Sequence, residues 1–342
     1  MPAVPSTALA RPAGPVLITG GAGYIGSHTT RLFRELGVAT IVLDNLSTGH
    51  RQFVQGDFEE ADLGDRAALE RVFAKRRPAA VVHFAAKTYV GESVTEPSIY
   101  YRENVHNTWN LLEAMRASGC RDIVFSSSCA TYGNPLRTPI DETHPQTPIS
   151  PYGRTKLHME HMLEDFSRAY GLRFAALRYF NAAGASRAGD LGEIHGPETH
   201  LIPLVLFTAL GARPSIRVFG DDYDTPDGTC IRDYIHVEDL ADAHVRALGK
   251  LQAGATSLAC NLGTGTGYSV LEVIETCRKV SGREIAVEKA PRREGDPPRL
   301  ISGGTRARDV LGWVPARAAL ADIVTDAWRF HSARAQDVSG RH

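Results

Sequence analysis

Tyr152 and Lys156 stand four residues apart in the run Tyr152-Gly-Arg-Thr-Lys156. On a helix this spacing puts a phenol and an ammonium on one face. A phenol of ordinary pKa ~10 is a poor base at neutral pH, and a lysine cation beside it, joined by the positive charge of an oxidised hydride acceptor, favours the phenolate. Such a phenolate takes the proton of a substrate hydroxyl while hydride leaves the same carbon. The pair recurs by chance on helix surfaces, so a third group has to discriminate. Phe125-Ser-Ser-Ser128 supplies it. The run reads as the end of a buried strand, and ligands of open α/β sheets sit beyond the carboxyl ends of the strands. There the Ser128 hydroxyl bridges tyrosine and substrate oxygen, whereas Ser126 and Ser127 are assigned to strand-end hydrogen bonding.

Hydride chemistry needs an acceptor, and the first strand is followed by a place for one. Thr19-Gly20-Gly21-Ala22-Gly23-Tyr24-Ile25-Gly26 satisfies G-x-G-x-x-G from Gly21. Residues without Cβ allow the tight turn and let a pyrophosphate approach bare backbone at a helix N-terminus. A glycine run alone is weak; one that follows a strand and opens a helix is specific. The next strand ends at Asp44, where a carboxylate accepts from both ribose hydroxyls and repels a 2′-phosphate, so NAD is favoured over NADP. Asn45, Asp57 and Phe58 lie where adenine is edged, although Asp57 reads almost equally well as a solvated turn residue.

Positioning these groups requires a particular order of elements. Val16–Thr19, Thr40–Asp44, Ala80–Phe84, Asp122–Phe125 and Phe174–Arg178 read as buried strands. Ile25–Leu36, Arg66–Lys75, Asn104–Ser118 and Pro151–Tyr170 read as helices. In the last, the apolar stripe is placed on Leu157, His161 or Met162, and Phe166. Strand and helix in alternation mean right-handed parallel crossovers and an α/β fold with a doubly wound parallel sheet. The pattern changes after Asn181. Residues 182–197 read as a long glycine-containing loop, Pro291–Pro298 as a charged loop, and a strand is expected around Asp233–His236. The expected organisation is a Rossmann-type domain over 15–180, to which the strand near 233–237 returns, and a smaller C-terminal α/β substrate domain over 181–335.

Composition sets the outer limits. With 38 Lys and Arg against 39 Asp and Glu the formal charge is −1, without the basic excess of a broad nucleic-acid surface. Five scattered cysteines with no C-x-x-C pair point to reduced thiols, and no His/Cys group has a zinc spacing, so no metal is expected. Residues 1–14 carry one charge, Arg11, and neither the apolar core of a signal peptide nor the arginines of a transit peptide. They read as a flexible extension. No run is long enough to span a bilayer, and the expected location is the cytoplasm.

Taken together, glycine loop, strand-end serine and Tyr/Lys pair make the chain resemble the extended short-chain dehydrogenase/reductase superfamily and, within it, the UDP-glucose 4-epimerases. The resemblance runs from about Val16 to Trp328. It is carried further by residues 90–94, Arg178-Tyr-Phe-Asn181, residues 228–237 and Pro291-Arg-Arg-Glu-Gly-Asp296. It implies that Ser128 and Tyr152 are catalytic and that Lys156 orients the nicotinamide ribose. It also implies an NAD site lined by Gly20, Gly23, Tyr24, Ile25, Gly26, Asp44, Asn45, Asp57, Phe58, Phe84, Asn104, Tyr152, Lys156 and Tyr179. Asn181, Leu201, Arg232, Arg293 and Asp296, with Ser128 and Tyr152, would hold the UDP-sugar. Guanidinium forks suit a diphosphate.

The implied reaction is redox-neutral: C4 of a UDP-hexose is oxidised, the ketone turns within the pocket, and hydride returns to the opposite face. A homodimer is implied through the helices around Asn104–Ser118 and Pro151–Tyr170. Two positions depart from the pattern. Lys87 stands one place before Thr88, where some epimerases carry a lysine near the nicotinamide. Leu300, at the sugar-pocket gate, is intermediate in size, which leaves UDP-N-acetylglucosamine open as a substrate. UDP-pentose or UDP-uronate 4-epimerases would use the same chemistry. A dehydratase would need carboxyl groups where Cys129 and Ala130 stand, and a non-catalytic NAD-binding regulator would not need the triad. His28, His83 and His236 are read as structural.

Overall fold

The strands buried on both faces are the ones that read as near-continuous apolar runs. In a computed structural model, which describes residues 12–293, 295–303 and 305–335, they form one sheet. In chain order the strands are β1 (Val16–Thr19), β2 (Thr40–Asp44), β3 (Asp57–Glu60), β4 (Ala80–His83), β5 (Asp122–Ser128), β6 (Arg173–Tyr179), β7 (Asn181–Ala183), β8 (Ile216–Phe219), β9 (Ile231–His236), β10 (Leu258–Leu262), β11 (Gly267–Ser269), β12 (Val287–Ala290) and β13 (Arg299–Leu300). The main sheet has seven strands in the order β10-β6-β5-β4-β1-β2-β3, and all its pairings are parallel.

Side-chain alternation along each strand divides the core. Val16, Ile18, Val82 and Leu177 face the helices Tyr24–Glu35 and Val237–Gln252. Leu17, Val81, Phe125 and Ala176 face the helices Arg66–Arg76, Asn107–Ser118 and Pro151–Tyr170. This is the expected doubly wound Rossmann-type sheet, and a smaller C-terminal unit with its own core of Ile202, Leu206, Tyr234, Val273 and Ile323 completes the fold.

Three expectations are corrected. The strand predicted to rejoin the main sheet, β9, instead centres the small sheet, pairing antiparallel with β11 and parallel with β13 and β7. It is β10 that returns, beside β6, together with the helix Val237–Gln252. The chain therefore crosses between the units more than once, and no single cut at 180/181 divides it. A short apolar run shows that a strand exists but not which edge it joins, and β10, Leu-Ala-Cys-Asn-Leu, lacks β-branched residues. Asp57, which read almost as well as a solvated turn residue, instead opens edge strand β3, whose run Asp57-Phe-Glu-Glu60 is polar and partly exposed, as edges tend to be. In the helix Pro151–Tyr170 the buried residues are Tyr152, Thr155, Lys156, Met159, Glu160 and Leu163; Leu157 is half-buried and His161 exposed. The extension expected over residues 1–14 lies, but for its last three residues, outside the described residues. Among the described residues no helix is long and apolar enough to cross a membrane.

Candidate active site

The strand order reverses between β1 and β4, and the chain leaves both strands at their carboxyl ends. The glycine turn is fitted to that crevice. Gly20 has φ +71°, and a Cβ on it would meet the Ala85 amide nitrogen at 2.6 Å. A Cβ on Gly26 would meet Gly20 O at 2.3 Å. Gly23 caps the helix Tyr24–Glu35 with no side-chain hydrogen bond, and its first turn contains no acidic residue. The orphan amides at this end thus have no side-chain acceptor and suit an anionic ligand. Ile25 packs against the core behind the turn, and the Tyr24 hydroxyl donates to Gly184 O at 2.7 Å.

Asp44 closes β2 with its carboxylate held by the amides of Ala22 (3.0 Å) and Leu46 (2.8 Å). Burial nevertheless raises its pKa above 3.8. Asn45 is spent on Asp62, to which its Nδ2 donates at 2.6 Å. Asp57 forms an exposed ion pair with Arg76 at 2.9 Å, which favours the surface reading. The Phe58 ring lies under the Arg51 guanidinium, 4.4 Å away. Phe84 brings its backbone to the glycine turn through its amide on Thr19 O (2.9 Å), while its ring packs tilted at 44° against His244.

The reacting groups converge where β5 and β6 end. Ser128 caps the short turn after β5, its hydroxyl accepting from the Ala130 amide at 3.1 Å, and it is close enough to Tyr152 to act on the phenol. Tyr152 is 9% exposed. Burial pushes Tyr152 up to about 12, against the pull of Ser128, and drives Lys156 down to about 7. Lys156 Nζ donates to Ser126 O at 2.8 Å and lies 6.0 Å from the centroid of the Tyr152 ring. Desolvation is the largest cause for both groups. Tyr179 pairs its hydroxyl with Ser126. Asn104, wholly buried in a π-helical turn, clamps both backbone groups of Lys87 and donates to Thr155 at 3.0 Å. It thereby ties the loop after β4 to the catalytic helix.

Behind the serines lies a polar network that the sequence analysis did not assign. Arg178 and Glu160 form a buried ion pair at 2.5 Å. Ser127 donates to Glu160, and Arg178 donates to Tyr132, which donates to Asn261. The available signals were a charged residue inside an apolar strand and Glu160 one turn beyond Lys156.

The opposite wall comes from the small unit. Asn181 Nδ2 donates to Asp233 O at 3.0 Å, and Leu201 starts the helix Leu201–Ala209. Arg232 on β9 is paired with Asp296 at 2.9 Å, so two expected ligands hold each other. Arg293 is placed separately, with its guanidinium 3.9 Å above the Phe219 ring. The walls meet beside Ser128: Arg232 acts electrostatically on Cys129, and Leu300 packs with Cys129, Tyr132 and Phe180. The five cysteines are free. His83 is buried between Thr19 and Thr108, His28 bonds Tyr24 O, and His236 caps the helix Val237–Gln252, in keeping with structural roles.

Known proteins combine these features. Residues 16–263 match the NAD dependent epimerase/dehydratase family. A UDP-glucose 4-epimerase of Rhizobium leguminosarum bv. trifolii is 54% identical over 318 residues, covering 93% of this chain and 97% of the relative. The crystal structure of UDP-glucose 4-epimerase from Brucella ovis, in complex with NAD, is 52% identical with a TM-score of 0.91, covering 93% of this chain and 98% of that one. That of Stenotrophomonas maltophila, with bound NAD and formylated UDP-arabinopyranose, is 39% identical with a TM-score of 0.92, covering 95% and 99%. The glycine crevice, the Ser/Tyr/Lys group and these near full-length likenesses have one explanation: the chain belongs to the NAD dependent epimerase/dehydratase family, among its UDP-glucose 4-epimerases.

Proposed function

We propose that the chain interconverts UDP-galactose and UDP-glucose by inversion at C4. The observation that carries the reading is the buried pair Tyr152 and Lys156 on one helix, tied by the 2.8 Å bond of Lys156 to Ser126 O to the strand that ends in Ser128. NAD, when bound, supplies a reversible acceptor for the hydride of C4. The glycine turn and the open end of the helix Tyr24–Glu35 would hold its pyrophosphate, Asp44 its adenosine ribose, and Lys156 its nicotinamide ribose. Tyr152 holds the proton of the 4-hydroxyl at its phenolic oxygen and gives it back, with Ser128 sharing that hydrogen bond. A base at about 12 is too strongly protonated for this task, so positive charge brought by the bound cofactor is what makes the phenolate accessible. Arg232, Arg293, Asn181 and Leu201 would anchor the UDP end while the sugar turns, and burial keeps the ketone from water.

Incubation of the purified chain with UDP-galactose, without added NAD, is the direct test. Formation of UDP-glucose without net NADH supports the reading. No conversion even with NAD supplied refutes it in favour of a pentose, uronate or N-acetyl sugar.

The division into a dinucleotide-binding unit, built on the main sheet, and a UDP-sugar-binding unit, built on the small sheet, belongs to the same proposal. So does a homodimer through the helices Asn107–Ser118 and Pro151–Tyr170, supported by Tyr101 and Trp109, each 39% exposed on that side. The proposed location is the cytoplasm, in keeping with free cysteines.

A further inference from the structure

The loop after β7 carries Glu193, His195, Glu198 and His200, an E-x-H-x-x-E-x-H run. It folds so that one ligand atom from each lies within 4.8 Å of all the others. His200 Nδ1 is 2.9 Å from Glu193 Oε1 and 2.9 Å from Glu198 Oε1. His195 Nδ1 is 3.3 Å from Glu193 Oε1 and 3.4 Å from Glu198 Oε2. Four ligands placed tetrahedrally at about 2.0–2.1 Å from a zinc-sized ion are about 3.3–3.4 Å apart. Four of the contacts, at 2.9–3.4 Å, come near such an edge, with one ligand atom of each residue within 4.8 Å of the others.

A second observation points to a ligand. The Glu193 and Glu198 side chains are 4% and 5% exposed, and two carboxylates buried side by side need concentrated positive charge. Glu198 Oε1 accepts the amides of Thr199 (2.8 Å) and His200 (2.9 Å), which fixes the carboxylate in the manner of an outer-shell contact. Its Oε2 is buried without a hydrogen-bond partner, as is His195 Nδ1, and the two stand 3.4 Å apart.

We propose that Glu193, His195, Glu198 and His200 bind one divalent transition-metal ion of the zinc class. Mixed imidazole and carboxylate donors suit such an ion better than magnesium or calcium, which take oxygen ligands. Four protein ligands leave no open position, so the ion is structural and outside the hydride chemistry. Its place gives it work: the loop is pinned to the dinucleotide side by Tyr24 on Gly184 O and by His50 Nε2 with Ile194 O at 3.0 Å. From His200 it runs directly into the helix Leu201–Ala209 of the opposite wall. The ion would fix the shape of the loop that joins the two walls.

The test uses the full chain with its cofactor in place, stripped by a chelator and then titrated with zinc by calorimetry and with cobalt by absorption spectroscopy. The expected result is about one zinc per chain, the intense visible bands of tetrahedral cobalt, and a raised melting temperature. His200→Gln, at a half-exposed site, is expected to weaken zinc binding by at least about tenfold. A stripped wild-type chain that takes up neither metal overturns the proposal and leaves two protonated histidines neutralising two carboxylates. Zinc binding unchanged in both His200→Gln and Glu198→Gln overturns it too, by placing the ion elsewhere.

Discussion

The Lys156 ammonium donates its 2.8 Å hydrogen bond to the backbone carbonyl of Ser126, not to the phenol one turn earlier on its helix. The lysine therefore stitches the catalytic helix to the strand that ends in Ser128, and it remains in the crevice for the cofactor to engage. Tyrosine and lysine thus have separable roles. Tyr152→Phe is expected to cut kcat by about 10²–10⁴-fold, the usual worth of a positioned acid–base group, while NAD stays with the chain through gel filtration. Lys156→Met is expected to lose turnover and bound NAD together. Near-normal turnover in Tyr152→Phe would sink the assignment of the base.

Arg232 and Asp296 hold each other at 2.9 Å, although the family resemblance casts both as substrate ligands. An arginine already neutralised by a carboxylate is a weaker anchor for a diphosphate than a free one. Asp296→Asn removes the charge but leaves the side chain's shape. If the aspartate restrains the arginine, the KM for UDP-galactose should fall or hold while Arg232→Met raises it by at least about tenfold, the loss of a charge-assisted contact. A rise in KM of equal size in both variants would mean that Asp296 itself binds substrate or that the pair acts as one unit.

Much of this site was legible in the residues alone because its parts sit at places the sheet dictates. Gly20, Asp44 and Ser128 each stand at or just beyond the end of an apolar strand, and Tyr152 and Lys156 share a helix face. What escaped was pairing. Nothing local marks β10 rather than β9 as the strand beside β6, and nothing marks Arg178 as the partner of Glu160. The metal-ligand cluster was passed over because the search was for His and Cys, whereas half the donors are glutamates. Spacing likewise reveals a charge near Tyr152 but not how much water the phenol and the ammonium lose on burial.

Glycine positions provide a test of packing that separates fold from chemistry. A Cβ on Gly26 would lie 2.3 Å from Gly20 O and 2.8 Å from Gly21 Cα, backbone that cannot yield without opening the turn. Gly26→Ala is expected to lower stability by at least about 1–3 kcal/mol and to release NAD. Gly91, in the helix Val90–Thr95, has nothing within 4 Å of such a Cβ. Gly91→Ala should be neutral or stabilise by up to about 1 kcal/mol. Urea midpoints for the two variants check the contrast, and equal losses would contradict it.

Three buried histidines set an acid limit. Burial holds His28 and His244 down at about 4 and His83 at about 3, with Lys156 adding to the effect at His83. Tyr24 O and Leu240 O each face a ring nitrogen of the neutral form, at 2.8 Å. His28 also feels His236, Arg31 and Asp190, yet burial dominates. Each imidazole is thus less basic folded than unfolded. As pH falls below about 6.5 the unfolded chain takes up protons that the folded chain refuses, so stability present above that pH is lost on the way down to the folded values. The slope approaches about 1.4 kcal/mol per pH unit for each histidine, or about 3–4 kcal/mol for the three between pH 6 and 5. Burial also raises Asp44, Asp233, Asp239 and Asp242, and against burial Glu193 and Glu198 raise His195 and His200, so the difference between wild type and a histidine variant, not the wild-type slope alone, reads the three rings. Urea unfolding of the NAD-bound chain should show a midpoint that drops steeply from about pH 6.5 to 5, and His244→Leu should remove about 1.4 kcal/mol per pH unit of that slope. A slope left unchanged by His244→Leu would mean that this ring is protonated in the native fold.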